Sequence, residues 1–354
     1  MPIEPFEVLS ARYGRRPDEI VKLDANENPY GISPHVRAAL AGMDFPHIYP
    51  DPESRALRES LSVFTGVPEQ NLLAGSGADE LIDLLLRVLL RPGEAVLDCP
   101  PTFGMYAFDT RLNAGTLLEV PRRPDFSLDL PAVRKAIAGG QVKIMYLASP
   151  NNPDGSLVPA DVIEELLELP ILLVIDEAYI EFADESNQMG RGLSWMTQVS
   201  LRENLVVLRT FSKWAGLAGL RVGYGAFPTW LMPALWKSKQ PYNVNVAASV
   251  AAMAAIEDLE TLTGQVAALR QERGLLWQGL ANIPWLHPYP SRANFVLCKV
   301  NGRDAAQLKE ELARKYGILL RYFDKPGLRD HIRISVGKPK HTDALFTALS
   351  SLYV

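Results

Sequence analysis

The sequence predicts an α/β protein: one large domain on a mostly parallel sheet with helices covering both faces, followed by a smaller α+β domain. Three observations carry that expectation, namely short β-rich apolar runs, amphipathic segments between them, and a change of pattern beyond Arg221. The runs are Ala95–Asp98, Thr116–Val120, Lys143–Ala148, Ile171–Asp176 and Asn204–Arg209, mostly apolar throughout, as strands buried on both faces are. Between them Leu81, Leu84, Leu85, Val88 and Leu89 recur at helical spacing, and Pro131–Ala138 and Val162–Leu169 carry the same period. That alternation is βαβ construction. Beyond Arg221 helices are expected over Thr229–Lys239 and from Val246 to about Ala281, separated by the Pro241-Tyr242-Asn243 turn. The second of these, kinked near Gly264, would bridge the two domains. A strand (Phe295–Val300), a helix (Asp304–Tyr316), two strands (Ile318–Tyr322 and His331–Val336) and a closing helix from His341 complete the chain. The expected division is residues 1–35 as an N-terminal arm and part of the small domain, 36–265 as the large domain and 266–354 as the small one.

Composition narrows the function classes. A chain of 354 residues, 47% hydrophobic, suffices for a large and a small core. A formal net charge of −5 with no Lys/Arg cluster argues against a nucleic-acid partner. Cys99 and Cys298 lie in apolar runs far apart, which gives neither a disulfide framework nor zinc spacing. The five histidines form no i, i+4 pair, so no metal is expected. No apolar stretch reaches the roughly 18 residues of a membrane span, and no basic, then apolar, leader opens the chain. A cytoplasmic protein is expected, with no membrane partner.

Lys213 follows the strand Asn204–Arg209 within Thr210-Phe211-Ser212-Lys213, with Arg221 shortly after. Ligands bind at strand ends in open parallel sheets, where an amine can form an imine while hydroxyls and a guanidinium hold phosphate. A phosphate and an aldehyde on one ligand suggest pyridoxal phosphate; a surface lysine in a Gly-rich loop is the other reading of this segment. Ile171–Asp176 ends in an acid, and a carboxylate in an apolar site needs a counter-charge. A protonated pyridine nitrogen supplies one, and an ionised Asp176 would keep that ring an electron sink, with Tyr179 near the ring hydroxyl. The same run could instead end in a magnesium site for nucleotide hydrolysis, but that requires a G-x-x-x-x-G-K-[ST] loop, which the chain lacks. In Ser149–Gly155, two prolines and a glycine make a rigid turn after a strand, and Asn152 is placed to donate to a ligand or simply to form the turn. Gly75-Ser-Gly77 opens an amphipathic helix whose free amides at Gly77, Ala78 and Asp79 would seat a phosphate. An incomplete G-x-G-x-x-G after no clear strand argues there against dinucleotide binding. Phe103, past the strand Ala95–Asp98, could stack on a flat ring or belong to the core.

Taken in order, these segments resemble the fold type I pyridoxal-phosphate-dependent aminotransferases, and within them the branch acting on histidinol phosphate. The markers are Asp24-Ala-Asn26-Glu-Asn28-Pro-Tyr-Gly31, Tyr49-Pro-Asp-Pro52, Gly75–Glu80, Pro100–Gly104, Ser149–Gly155, Asp176–Tyr179, Thr210–Lys213 with Arg221, and His331-Ile-Arg333-Ile-Ser335. The resemblance implies Lys213 as the imine-forming lysine and proton-transferring base, with Asp176 on the ring nitrogen. It implies Asn152 and Tyr179 on the ring hydroxyl, Phe103 stacked on the ring, and a phosphate cup of Gly77, Ala78, Asp79, Thr210, Ser212 and Arg221. It further implies a homodimer in which Tyr49 reaches the neighbouring subunit's cofactor phosphate, with Asn243 in a segment close to that interface. Arg333 matches the fork that holds an α-carboxylate, Arg321 the second guanidinium a phosphate ester calls for, and Asn28 and Tyr49 further substrate contacts. The pair would equally hold the two carboxylates of glutamate, so the implied reaction interconverts histidinol phosphate plus 2-oxoglutarate with imidazole acetol phosphate plus glutamate, a step of histidine biosynthesis. Aromatic amino acid transamination, decarboxylation of a phosphorylated amino acid and a non-catalytic regulator are the alternatives. Phe6, where related sequences often have tyrosine, and Asp154, in place of a hydroxyl residue, depart from the pattern.

Overall fold

The computed structural model describes residues 4–186 and 188–352. In chain order the strands are β1 (Val21–Leu23), β2 (Leu72–Gly75), β3 (Ala95–Asp98), β4 (Thr116–Glu119), β5 (Val142–Ala148), β6 (Leu172–Asp176), β7 (Leu205–Thr210), β8 (Gly223–Ala226), β9 (Leu286–Pro288), β10 (Phe295–Val300), β11 (Ile318–Tyr322) and β12 (His331–Ser335). They form two sheets, one ordered β2-β8-β7-β6-β5-β3-β4 and one ordered β1-β11-β12-β10-β9. In the first, β7, β6, β5, β3 and β4 run parallel, and β8 is antiparallel to both of its neighbours. The fold is the α/β architecture the sequence predicts.

Strand periodicity explains the layering. Along β6 and β7, Leu173, Ile175, Leu205 and Val207 face one apolar core, while Leu172, Val174, Val206 and Leu208 face a second. Successive side chains point to opposite faces, so a sheet covered on both sides needs an uninterrupted apolar run. The second sheet is mixed: β1 lies parallel to β11, pairing Val21 with Ile318, so the N-terminal segment joins strands from the end of the chain.

Four details differ from the sequence expectation. Strand β2 does precede the Gly75–Gly77 turn, and β8 follows Arg221. Both have only four residues, Leu-Leu-Ala-Gly and Gly-Tyr-Gly-Ala, too short to show a period, and the two glycines of β8 weaken its signal further. The short strands β1 and β9 were equally silent. The long C-terminal helix is two helices, Val246–Glu257 and Leu259–Ala281, and the break falls at Asp258 (φ −107°, ψ 40°) rather than at Gly264, which sits in open space inside the second. The closing helix starts at Pro339, where a first-turn proline loses no hydrogen bond. Among the described residues no helix is long and apolar enough to cross a membrane.

Candidate active site

The carboxyl ends of β5, β6 and β7 and the start of helix Ala78–Leu89 surround a cavity of about 310 Å³. Ala78, Asp79, Phe103, Asn152, Asp176, Tyr179, Thr210, Ser212, Lys213 and Arg221 line it, so ten of the residues singled out from sequence come together. Glu27, Ala148, Pro150, Ala178, Ala218 and Gly219 complete the wall.

Asp176 ends β6 almost without solvent contact. Its Oδ2 accepts from the Tyr106 hydroxyl at 2.6 Å and its Oδ1 from the Ala178 amide at 3.0 Å. Burial pushes its carboxyl up to about 6, against the pull of the Tyr106 hydrogen bond. A cation facing such an acid would favour its ionised form and offset the cost of burying the charge. Lys213 Nζ donates to the Ala25 carbonyl at 3.3 Å and lies 5.9 Å from the centre of the Tyr179 ring. The Tyr179 hydroxyl accepts from Asn26 Nδ2 at 3.1 Å.

On the opposite wall, Gly77 (φ +81°) turns the chain into the helix, and a Cβ there would lie 2.6 Å from Arg221 Nη2. Only glycine lets the guanidinium lie this close to the helix start. Arg221 reaches Asp79 Oδ2 at 2.8 Å, and the Thr210 and Ser212 hydroxyls are 2.9 Å apart. Helix amides, two hydroxyls and a guanidinium at one place make an anion seat. Phe103 meets Tyr106 edge-on with ring centres 5.5 Å apart.

A second anion-binding group comes from the other sheet. Arg333 on β12 is buried; its Nη1 donates to Asn152 Oδ1 at 2.6 Å and its Nη2 to the Asp24 carbonyl at 2.9 Å, while Nε has no partner. Burial lowers its guanidinium to about 10. Arg321 on β11 is its register partner, and residues directly opposite on antiparallel strands project to one face. Both guanidinium carbons lie within 6 Å of the Phe323 ring centre, Arg321 at 5.8 Å and Arg333 at 5.6 Å.

Of the residues singled out from sequence, Gly77, Asn28, Tyr49, Asn243, Arg321 and Arg333 are not among those lining the cavity. Asn28 is not a lining residue: its Nδ2 donates to the Trp214 carbonyl and Gln265 Oε1, and its Oδ1 accepts from the Tyr30 amide. Its hydrogen-bonding capacity is spent on fixing the segment that carries it. Tyr49 is 79% exposed and stacks on Tyr242 at 4.7 Å, away from this chain's own cavity. Asn243 is tied to Glu80 Oε2 at 2.8 Å and to the Ala74 carbonyl at 3.2 Å. Asn26 and Tyr106 escaped the sequence reading. Asn26 sits inside a marker segment, and Tyr106 lies one helical turn past Phe103, a spacing that places both on one side of a helix start. Among the described residues no group of three or more His, Cys, Asp or Glu could hold a metal ion.

Comparison with known proteins agrees with this geometry. Residues 18–349 match the family model for aminotransferase class I and II. A chloroplastic histidinol-phosphate aminotransferase of Nicotiana tabacum is 53% identical over 353 residues, spanning 99% of this chain and 84% of that protein. The histidinol-phosphate aminotransferase of Roseiflexus castenholzii is 49% identical, spanning 99% of this chain and 94% of that one. Among solved structures, the histidinol-phosphate aminotransferase of Sinorhizobium meliloti in complex with pyridoxal-5'-phosphate superimposes with a TM-score of 0.89 at 28% identity, covering 99% of this chain and 96% of that one. With a family match over most of its length and relatives near half identity end to end, the chain belongs to the class I and II aminotransferases.

Proposed function

We propose that this protein is a pyridoxal-phosphate-dependent histidinol-phosphate aminotransferase, moving an amino group from histidinol phosphate to 2-oxoglutarate to give imidazole acetol phosphate and glutamate. The residues present fit the cofactor: a buried carboxylate, an aromatic ring, an amine and an anion seat line one cavity of about 310 Å³. Bound there, pyridoxal phosphate would supply the carbonyl that takes up the amino group and a ring that spreads the electrons of a broken C–H bond. The chain's groups then have definable tasks. Asp176 would hold the proton on the ring nitrogen, and that cation would offset the cost of its buried charge. The Gly77, Ala78 and Asp79 amides, the Thr210 and Ser212 hydroxyls and Arg221 hold the phosphate, and Phe103 covers one ring face. Asn152 and Tyr179 serve the ring hydroxyl. The Lys213 amine would act as the base that moves a proton between the substrate carbon and the cofactor.

The observation that carries the substrate reading is the Arg321–Arg333 register pair beside a cavity that also holds Lys213 and Asp176. One guanidinium suffices for a lone α-carboxylate; two suit a phosphate ester dianion, and also the two carboxylates of glutamate. That dual use explains how one site could serve both half-reactions. The exposed Tyr49 supports a homodimer in which it faces the partner's cofactor phosphate.

Mixing the cofactor-loaded protein with histidinol phosphate alone tests the reading. Conversion of the bound cofactor to its amino form, followed by regeneration with 2-oxoglutarate, is expected. Carbon dioxide release in place of that conversion, or turnover of phenylalanine at or above the rate with histidinol phosphate, would overturn it.

A further inference from the structure

Three consecutive residues of the N-terminal segment reach Arg333 and two groups of the cavity wall, Lys213 and Tyr179. The Asp24 carbonyl accepts from Arg333, the Ala25 carbonyl accepts from Lys213, and Asn26 Nδ2 donates to the Tyr179 hydroxyl at 3.1 Å. Asn26 itself is fixed from all sides. It is 1% exposed, its amide N–H donates to Ser335 Oγ at 2.8 Å, and its carbonyl accepts from Asn294 Nδ2 at 2.9 Å. The Ser335 hydroxyl donates back to Asn26 Oδ1 at 2.9 Å, so the oxygen end of the amide lies toward Ser335 and the nitrogen end toward Tyr179. A left-handed backbone (φ 56°) presents the side chain in this direction, a conformation asparagine tolerates better than most residues.

A phenol has one proton to donate. With Asn26 donating to it, the Tyr179 oxygen acts toward that side as acceptor, and its own proton is left for a partner in the cavity. We infer that Asn26, oriented by Ser335, is a positioning residue that fixes Tyr179 as a hydrogen-bond donor to the ring hydroxyl oxygen of the bound cofactor. This rests on the pyridoxal phosphate reading above. Ser335 lies two residues beyond Arg333 on β12, so the strand that carries the substrate fork also sets the donor on the cofactor. The charged groups facing Tyr179 are Lys213, Arg333 and, at the end of β6, Asp176, with the Phe295 ring edge-on at 5.1 Å. Asn26 is neutral, so removing its side chain alters the direction of donation without altering the charge around the site.

The test uses pyridoxal phosphate bound without substrate and follows its visible absorbance against pH. A ring oxygen that loses its donor becomes more basic, so the chromophore keeps its proton to higher pH. Asn26→Gly, which retains the left-handed backbone, should raise the midpoint by about half a unit to one unit, the scale of one hydrogen bond. Tyr179→Phe should raise it at least as far, and the double variant should match Tyr179→Phe alone, because Asn26 acts only through that hydroxyl. Ser335→Ala should produce a smaller rise, and it carries the measurement if the glycine variant does not fold. An unmoved midpoint in Asn26→Gly, or shifts that add in the double variant, would overturn the inference while leaving the cofactor assignment intact. If pyridoxal phosphate gives no titrating band with the wild-type protein, the cofactor assignment itself falls.

Discussion

Asp176 shows how one side chain can oppose folding and serve the ligand. Its carboxyl is raised to about 6 by burial, above the ordinary value of 3.8 that it would regain unfolded. Between those values the folded state keeps a proton that the unfolded state has lost, so the cofactor-free protein loses stability as pH rises from about 4 to 6, and the penalty is constant above. A carboxylate with a lowered value would give the opposite slope. Asp176→Asn should therefore stabilise the cofactor-free chain at pH 7.5, on the order of 1–3 kcal/mol, with the gain vanishing near pH 4. Thermal melting of both proteins across that range checks the sign; a destabilised variant at pH 7.5 would mean the carboxylate is already compensated by the chain. The same variant should bind pyridoxal phosphate more weakly than wild type, since the ring nitrogen loses its ionic partner. At this scale the sequence disclosed the residues that speak through their chemistry: an acid at a strand end, a lysine in a loop with hydroxyls. Between Asn26 and Asn28 it had nothing to separate them. Which of the two reaches Tyr179 on the cavity wall goes with the positive φ at Asn26, a backbone property that no side-chain pattern reports.

At the scale of elements, the anion seat depends on how closely one helix start approaches two strands. Gly223 on β8 makes that approach possible: a Cβ there would lie 2.6 Å from the Ala78 nitrogen, 2.8 Å from the Gly77 carbonyl carbon and 3.0 Å from the Arg209 oxygen. All three are backbone atoms, so no side chain can swing aside. Gly223→Ala must push the start of helix Ala78–Leu89 away from the sheet and with it the amides that face the phosphate. We expect affinity for pyridoxal phosphate to fall at least about tenfold, the loss of one charge-assisted hydrogen bond, while affinity for pyridoxal, which has no phosphate, changes little. Equal losses for the two ligands, measured by equilibrium titration, would place the damage elsewhere. The glycine that makes the site possible also hid its strand from the sequence. Long apolar strands such as β6 and β7 announce themselves because a doubly covered sheet demands continuous apolar residues. Strand β8 spends two of its four residues on close approach, which erases the strand signal. The helix break at Asp258 was misplaced for a related reason: glycine marks helix flexibility only where packing needs it, and Gly264 has nothing within 4 Å.

For the whole molecule, one residue proposed to serve the site, Tyr49, has no place at the cavity of its own chain. Among the described residues Tyr49 is the most exposed large apolar side chain; Tyr242, which stacks on it, and Phe45 and Ile48, just before it in the chain, are exposed too. Aromatic and aliphatic groups gathered on one surface favour association, and the proposed homodimer would carry Tyr49 from each subunit to the other's phosphate. That crossing has a consequence which a site complete within one chain lacks. Lys213→Ala and Tyr49→Ala should each impair a homogeneous dimer, the first fully and the second through its hold on the cofactor. Refolded together in equal amounts, about half the dimers are hybrids by chance. In each hybrid, the subunit that carries Tyr49→Ala keeps its own Lys213 and receives an intact Tyr49 from its partner, so one site per hybrid is whole. The mixture should regain about a quarter of wild-type activity, with tighter cofactor retention than Tyr49→Ala alone. If each site instead uses its own Tyr49, every site in a hybrid carries one of the two lesions, and mixing restores nothing. The recovered rate therefore reads out which subunit's tyrosine serves each cofactor, independently of how strongly the subunits associate.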